Sequence, residues 1–266
     1  LLSKYPIDAS AVRTFRNFRW ADMPGAQLPD DPRTDEPADW YSDKALSRFP
    51  LSSKSHWDVP LLVNGTRIHV LAAHPTPPVF DGVENRNGRR NRDEIRFWVD
   101  YVGPPERASY IYDDQENRGG LDEDESFVVL GDLNGDPNDG EGSSGIRALL
   151  DSSRVQGCLA PASGGGAEQA REQGKSNRLH RGDPSQDTVD AADDPGPGNL
   201  RLDYVLPSDD LCVVDSGVFW PTRADPDFAL VGVHPFPSSD HRLVWVDVRV
   251  PASRRGETKP SPPSPK

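Results

Sequence analysis

Four short polar clusters in this chain stand where apolar runs begin or end: Ala73-His74-Pro75, Gly131-Asp132-Leu133-Asn134, Arg201-Leu202-Asp203-Tyr204 and Ser239-Asp240-His241. Their side chains are carboxylates, a carboxamide and imidazoles. These groups move protons, hold hard cations and donate hydrogen bonds to phosphate oxygens without needing a covalent nucleophile.

Asp132 and Asn134 lie two residues apart at the end of the apolar run Phe127-Val128-Val129-Leu130, a spacing that points both to one side. A carboxylate there can take a proton from an attacking water, and the amide can donate to a phosphate oxygen. The same pair can also close an Asx-turn. Asp240 suits a hard cation such as Mg²⁺ or Mn²⁺, and His241 can stabilise charge on a developing phosphorane; an Asp cap beside a surface histidine is the plainer alternative. Asp203 sits on the otherwise apolar stretch Leu200 to Leu206, where an unpaired charge is costly, so it needs a partner. His241 is the first choice, since a carboxylate fixes a histidine tautomer; Arg201, Arg242 and backbone groups are the others. His74 closes the run Ile68 to Ala73 beside small residues and can serve a phosphate or a leaving oxygen, although a histidine next to proline is often structural.

Other chemistries lack their patterns. No Gly-x-Ser-x-Gly elbow occurs, no Walker loop, and no dinucleotide fingerprint after a strand. A glycosidase carboxylate pair would not require acids partnered by Asn and His, which suit phosphate better. Two cysteines, Cys158 and Cys212, are too few for a thiolate zinc site or a disulfide scaffold; they pair or are buried thiols.

The elements that must carry these clusters are mostly strands. Apolar and polar residues alternate through Phe15, Phe18 and Trp20 before the turn at Asp22-Met23-Pro24-Gly25, which predicts a strand entering a loop. Residues 50–59 and 61–74 read as strands joined at Asn64-Gly65, the strongest short hairpin signal. Prolines 75, 77 and 78 take the chain out of the sheet. Asn91 followed by Glu94 resembles a capping box, which predicts a helix over 92–102; a second helix is predicted over 145–150. The basic stretch Arg86, Arg89, Arg90 and Arg92 then falls on the loop after His74, where it could bind phosphate or simply be solvated. Residues 160–199 show no periodicity and read as a long loop. Strands are predicted over 200–206, 211–220 and 242–250, with a disordered Pro-rich tail at 251–266.

The 266 residues can build a large core without disulfide staples. With 27 prolines and 23 glycines, much of the chain is connection. A net charge of −13 repels polyanions and disfavours nucleic acid as a partner. No stretch approaches the roughly 20 apolar residues of a membrane span.

The four clusters, in this order, resemble the endonuclease/exonuclease/phosphatase superfamily over residues 45–250: Gly131-Asp132-Leu133-Asn134 looks like its Gly-Asp-Phe-Asn motif and Ser239-Asp240-His241 like its terminal Ser-Asp-His. The resemblance implies an α/β (α+β) fold, a four-layered α/β/β/α sandwich of two mostly antiparallel sheets spanning 1–250. It implies hydrolysis of a phosphoester substrate by a water activated by Mg²⁺ or Mn²⁺, or alternatively Ca²⁺. In it, Asp132 orients or deprotonates water, Asn134 binds phosphate, Asp240 contacts the metal, His241 stabilises the phosphorane, Asp203 holds His241, and His74 assists phosphate or leaving group.

One departure stands out. The family's earlier Asn and metal-binding Glu motifs are not in these residues, and Leu1 to Ile7 reads as a mid-domain strand. The expectation is a C-terminal fragment completed by a companion N-terminal segment. A phosphatase or small phosphodiesterase is the leading subtype; an extracellular nuclease and a non-catalytic binding protein are the alternatives. The acidic, Pro- and Gly-rich, Cys-poor composition fits an exported bacterial protein, which is the expected setting.

Overall fold

Asn64 and Gly65, both at positive φ, turn the chain between two eight-residue strands paired residue for residue from His56↔Ala73 to Val63↔Thr66. This hairpin is the centre of the fold. The computed structural model describes residues 1–250, so the tail expected at 251–266 lies outside the described residues. In chain order, the strands are β1 (Arg13–Thr14), β2 (His56–Val63), β3 (Thr66–Ala73), β4 (Ser126–Asp132), β5 (Asp203–Pro207), β6 (Cys212–Phe219) and β7 (Leu243–Arg249). The α-helices are α1 (Asp43–Leu46), α2 (Arg86–Tyr101), α3 (Pro105–Ala108), α4 (Ser143–Leu150), α5 (Gly164–Gln173) and α6 (Phe228–Val231).

Five strands form one sheet in the order β1-β2-β3-β4-β5, antiparallel except for β3 and β4. Those two run parallel because the intervening chain crosses over through α2 and α3, which is the connection a parallel pair needs. β6 and β7 form a second, antiparallel sheet. The fold is thus α/β with two sheets.

Alternation along the strands sorts the residues into two layers. Leu71, Phe127, Val129, Tyr204 and Leu206 pack with Ile95, Trp98 and Tyr101 of α2 in the main core. Residues of opposite parity, Ile68 and Val128, pack with Leu211 and Val248 towards the second sheet. Asp132 and Asp203 have the parity of Val128, so both face the second sheet and not the α2 core.

Several elements differ from expectation. Only Arg13 and Thr14 of the opening alternation pair as a strand; Phe15, Phe18 and Trp20 are buried in the turns that follow. Their rings meet α2, with Phe15 4.9 Å from Phe97. Of Leu1 to Ile7, only Ile7 makes a strand bridge, to Leu61, and Leu2 is fully exposed. The two cysteines are free and exposed.

Helix α2 starts at Arg86, not at 92. Asp81 caps it by accepting from the Asn87 and Gly88 amides, while Asn91 and Glu94 lie inside the helix, fully buried. Asn91 Nδ2 donates to the carbonyls of Thr76, Leu133 and Asn134, and Glu94 accepts from the Ser53 and Thr76 amides. The basic stretch is therefore helical, and its side chains are engaged. Arg86 pairs with Glu84, Arg89 with Asp30, Arg90 with the carbonyls of Pro50 and Leu51, and Arg92 with Gln27.

The segment 160–199 is not a featureless loop: it contains α5 and two short 3₁₀ turns. Gly165 lies in the first turn of α5, where a Cβ would lie 2.2 Å from the Trp220 carbonyl oxygen, so glycine lets the helix sit directly on that backbone.

Candidate active site

Asp132 ends β4 and Asp203 begins β5, and the two are direct partners across the antiparallel pair. Cross-strand partners hold their Cβ atoms about 5 Å apart, so two carboxylates share one small space. Gly131 makes the neighbouring approach possible. Its φ is 142°, and a Cβ there would lie 2.0 Å from the Ala73 carbonyl oxygen. Glycine thus brings the end of β3, and with it His74, against the end of β4.

His74 Nε2 lies 3.2 Å from Asp132 Oδ2. Asn134, in the left-handed region at φ 50°, folds back so that its amide N–H donates to Asp132 Oδ1 at 2.9 Å. Its Nδ2 donates to the Pro75 carbonyl at 3.1 Å and to Asp132 Oδ2 at 3.2 Å. Both amide hydrogens are used, so in this arrangement Asn134 orients Asp132 and ties it to the chain after His74. The cluster is at once an Asx-turn and a mount for the carboxylate.

Across the strand pair, Asp203 Oδ2 lies 2.9 Å from His241 Nδ1. Arg242 points elsewhere: its guanidinium is buried against Asp190 at 3.0 Å and lies over the Trp220 ring. Arg201 is buried over the Tyr204 ring and donates to the Leu159 carbonyl. Of the three side chains that sequence offers Asp203, the structure brings His241.

The four groups form a row, His74, Asp132, Asp203, His241, with opposed electrostatics. The hydrogen bond that His241 donates to Asp203 pushes His241 up to about 9, against the opposing effect of burial, with Asp132 and Asp240 adding to the rise. His241 is therefore a cation at neutral pH. Burial lowers His74, more than Asp132 raises it, and nearby Lys54 and His241 add to the fall. Burial raises Asp132, and the Asp203 charge adds to that, while the imidazoles oppose it.

Asp240 stands apart. It is exposed, and among the described residues its side chain accepts only a 3.5 Å contact from the neighbouring Ser239 hydroxyl. A hard divalent cation takes six or more oxygens, commonly from more than one carboxylate. Among the described residues no three His, Cys, Asp or Glu side chains converge on a point that could hold a metal. Asp132 and Asp203 are committed to their histidines. This donor set does not by itself fit a divalent cation.

Two nearby residues went unnoticed in the sequence. Thr188, from the 160–199 segment, donates to Asp203 Oδ2 at 2.8 Å. Lys54 precedes β2 and is close enough to act on His74. Neither sits in a motif, and no signal in the sequence separates them from other Thr and Lys residues.

A two-sheet α/β chain that gathers acid–imidazole pairs at its strand ends belongs to a recognisable class. Residues 1–241 match the model of the Endonuclease/Exonuclease/phosphatase family, and the chain belongs to that family. Solved structures with a similar fold include an endonuclease/exonuclease/phosphatase from Beutenbergia cavernae DSM 12333, 16% identical, covering 93% of this chain and 46% of that one at a TM-score of 0.48. Another is sphingomyelinase C from Streptomyces griseocarneus, 16% identical, covering 92% and 62% at 0.39. A third is a beta toxin mutant from Staphylococcus aureus with bound magnesium ions, 14% identical, covering 72% and 53% at 0.35. The chain thus spans less than two thirds of the length of these structures. No curated protein sequence matches it.

Proposed function

We propose that this chain carries the acid–base half of a phosphoester hydrolase, a phosphatase or small phosphodiesterase. The observation that supports it most is the row of His74–Asp132 and Asp203–His241 pairs on one face at the ends of β4 and β5. Protonated His241 offers a positive charge to a phosphoryl oxygen, and a fixed charge in a partly buried site stabilises the extra negative charge of a phosphorane. Asp203 keeps that charge in place. Asp132 takes a proton from the attacking water as the water oxygen bonds to phosphorus. Asp132 passes that proton to the neutral His74 imidazole 3.2 Å away, which gives a proton to the departing oxygen as the phosphorus–oxygen bond to the leaving group breaks. Asn134 holds Asp132 and reaches phosphate only if it releases Pro75 or Asp132.

Metal dependence enters as a separate proposal. Asp240 is the exposed carboxylate suited to Mg²⁺ or Mn²⁺, and a companion segment would have to add further oxygens. Calorimetric titration of this chain with Mg²⁺ should show no tight stoichiometric binding; tight binding would overturn the need for a companion. No described helix is long and apolar enough to cross a membrane. An exported bacterial protein is the setting proposed, on composition alone.

The function is tested by assaying full-length protein on nitrophenyl phosphate, bis-nitrophenyl phosphate and plasmid DNA with Mg²⁺, Mn²⁺ or Ca²⁺. Hydrolysis of the small esters, lost in His241→Ala, is expected, with plasmid a poor substrate because of the charge of −13. If nothing is cut, or His241→Ala and Asp240→Ala cut as fast as wild type, the chain is a binding protein on a hydrolase fold.

A further inference from the structure

Thr188 is 1% exposed, and its hydroxyl has no spare hydrogen-bonding capacity. Oγ1 accepts from the backbone amides of Leu202 and Asp203, both at 3.0 Å, and donates to Asp203 Oδ2 at 2.8 Å. A hydroxyl has one proton and two lone pairs, and all three are used here. With two amides occupying the lone pairs, the proton has one direction left, towards the carboxylate. The β-branched side chain further restricts rotation about χ1.

The backbone of the same residue holds the other half of the pair. The Thr188 carbonyl accepts from the Arg242 amide at 2.7 Å, and its own amide donates to the Leu200 carbonyl at 2.9 Å. Val189 bridges both Leu200 and His241, and the Asp190 amide donates to the Asp240 carbonyl at 2.9 Å. Residues 188–190 therefore lie between the start of β5, which carries Asp203, and the approach to β7, which carries His241. Asp203 starts a strand of the first sheet and His241 leads into the second, so their separation depends on what lies between them.

We infer that Thr188 is a positioning residue for the Asp203–His241 pair, its hydroxyl fixing the carboxylate oxygen that the imidazole meets and its carbonyl fixing the segment before β7 that carries the imidazole. The inference rests on the reading of that pair as functional, but the contact itself can be measured without substrate. The 160–199 segment then acts as a spacer between the two sheets. Its end is anchored by the buried Arg242–Asp190 contact and by Gln173 of α5, which donates to Asp190 at 2.7 Å.

The test is NMR of the ligand-free chain at one fixed neutral pH, following the His241 ring Nδ1–H and the Thr188 hydroxyl proton. In wild type both should be protected from exchange, the hydroxyl with cross-peaks to the Leu202 and Asp203 amides. Thr188→Val keeps the shape and loses the hydroxyl, so exchange of the His241 proton should accelerate at least about tenfold, the change expected in a local opening equilibrium when one hydrogen bond to a charged group is lost. Thr188→Ser should restore protection, and Leu149→Ala, which destabilises a distant core site, should leave it unchanged. An unchanged His241 signal in Thr188→Val would overturn the inference. Should that variant not fold, a freely exchanging Thr188 hydroxyl in wild type would overturn it equally. Failure of the hydrolase reading would show as absent turnover with these signals intact.

Discussion

Asp132 and Asp203 are direct partners across β4 and β5, two carboxylates placed opposite one another where like charges destabilise a sheet. The arrangement persists because each has an imidazole on it, His74 at 3.2 Å and His241 at 2.9 Å. Repulsion and pairing together divide the labour. Asp203 accompanies a cationic histidine, while Asp132 is raised by burial and by the Asp203 charge and so takes a proton more readily than an ordinary carboxylate.

Asp203→Asn tests that division. The amide keeps the shape and relieves the repulsion with Asp132, but it removes the charge that holds His241 protonated. Turnover of a nitrophenyl phosphoester by full-length protein should fall by about 10²- to 10⁴-fold, the range for losing a positioned acid–base group. Melting temperature should stay level or rise. Wild-type turnover in Asp203→Asn would remove the pair from the mechanism.

Gly131→Ala should be far more damaging than its size implies. The new Cβ would lie 2.0 Å from the Ala73 carbonyl oxygen at a φ of 142°. The backbone region alone costs about 1–3 kcal/mol, and the clash forces β3 away from β4. Denaturant unfolding should show a loss of about 3 kcal/mol or more. A loss below about 1 kcal/mol would mean that this close approach is not part of the folded state.

The strand ends were legible because apolar runs terminate abruptly at polar residues, as at Leu130 to Asp132, and because Asn64-Gly65 encodes its own turn. Start signals for helices were less reliable. Asn91 and Glu94 have the spacing of a capping box, yet they are buried hooks that bind the chain after His74 and the loop before β2. Spacing three apart marks one face of a helix as readily as its beginning. The 160–199 segment failed for a different reason. Its order comes from tertiary contacts, such as Gly165 seated on the Trp220 backbone and Thr188 held between β5 and the segment before β7, and a polar, Gly-rich sequence has no periodicity to announce them.

Arg242 and Asp190 form an ion pair at 3.0 Å with almost no exposed surface. Breaking such a pair leaves one charge buried, so Arg242→Met alone should cost about 3–5 kcal/mol. Replacing both, with Asp190→Leu as the second change, should recover most of that stability, because the cost lies in the orphaned charge. A double-mutant cycle by chemical denaturation gives the coupling. Additive losses would show that the two residues act independently.

Asp187 should make the fold sensitive to alkali. It is buried, its Oδ2 has no hydrogen-bond partner, and burial with the nearby charges of Asp136, Asp139 and Asp183 pushes its carboxyl up to about 8. The unfolded chain titrates this group near about 4. A folded value above the unfolded one means that the native state binds the proton more tightly, so the contribution is full below about pH 4 and is lost as pH rises through about 8. Asp187→Asn supplies a permanently neutral group of the same shape and should flatten the stability profile over that window. Guanidinium midpoints for wild type and variant, taken from acid to mild alkali, should therefore converge at low pH and separate as pH rises, with the variant the more stable. Parallel profiles would show that Asp187 is ionised in the fold and that its neighbours or solvent already accommodate the charge.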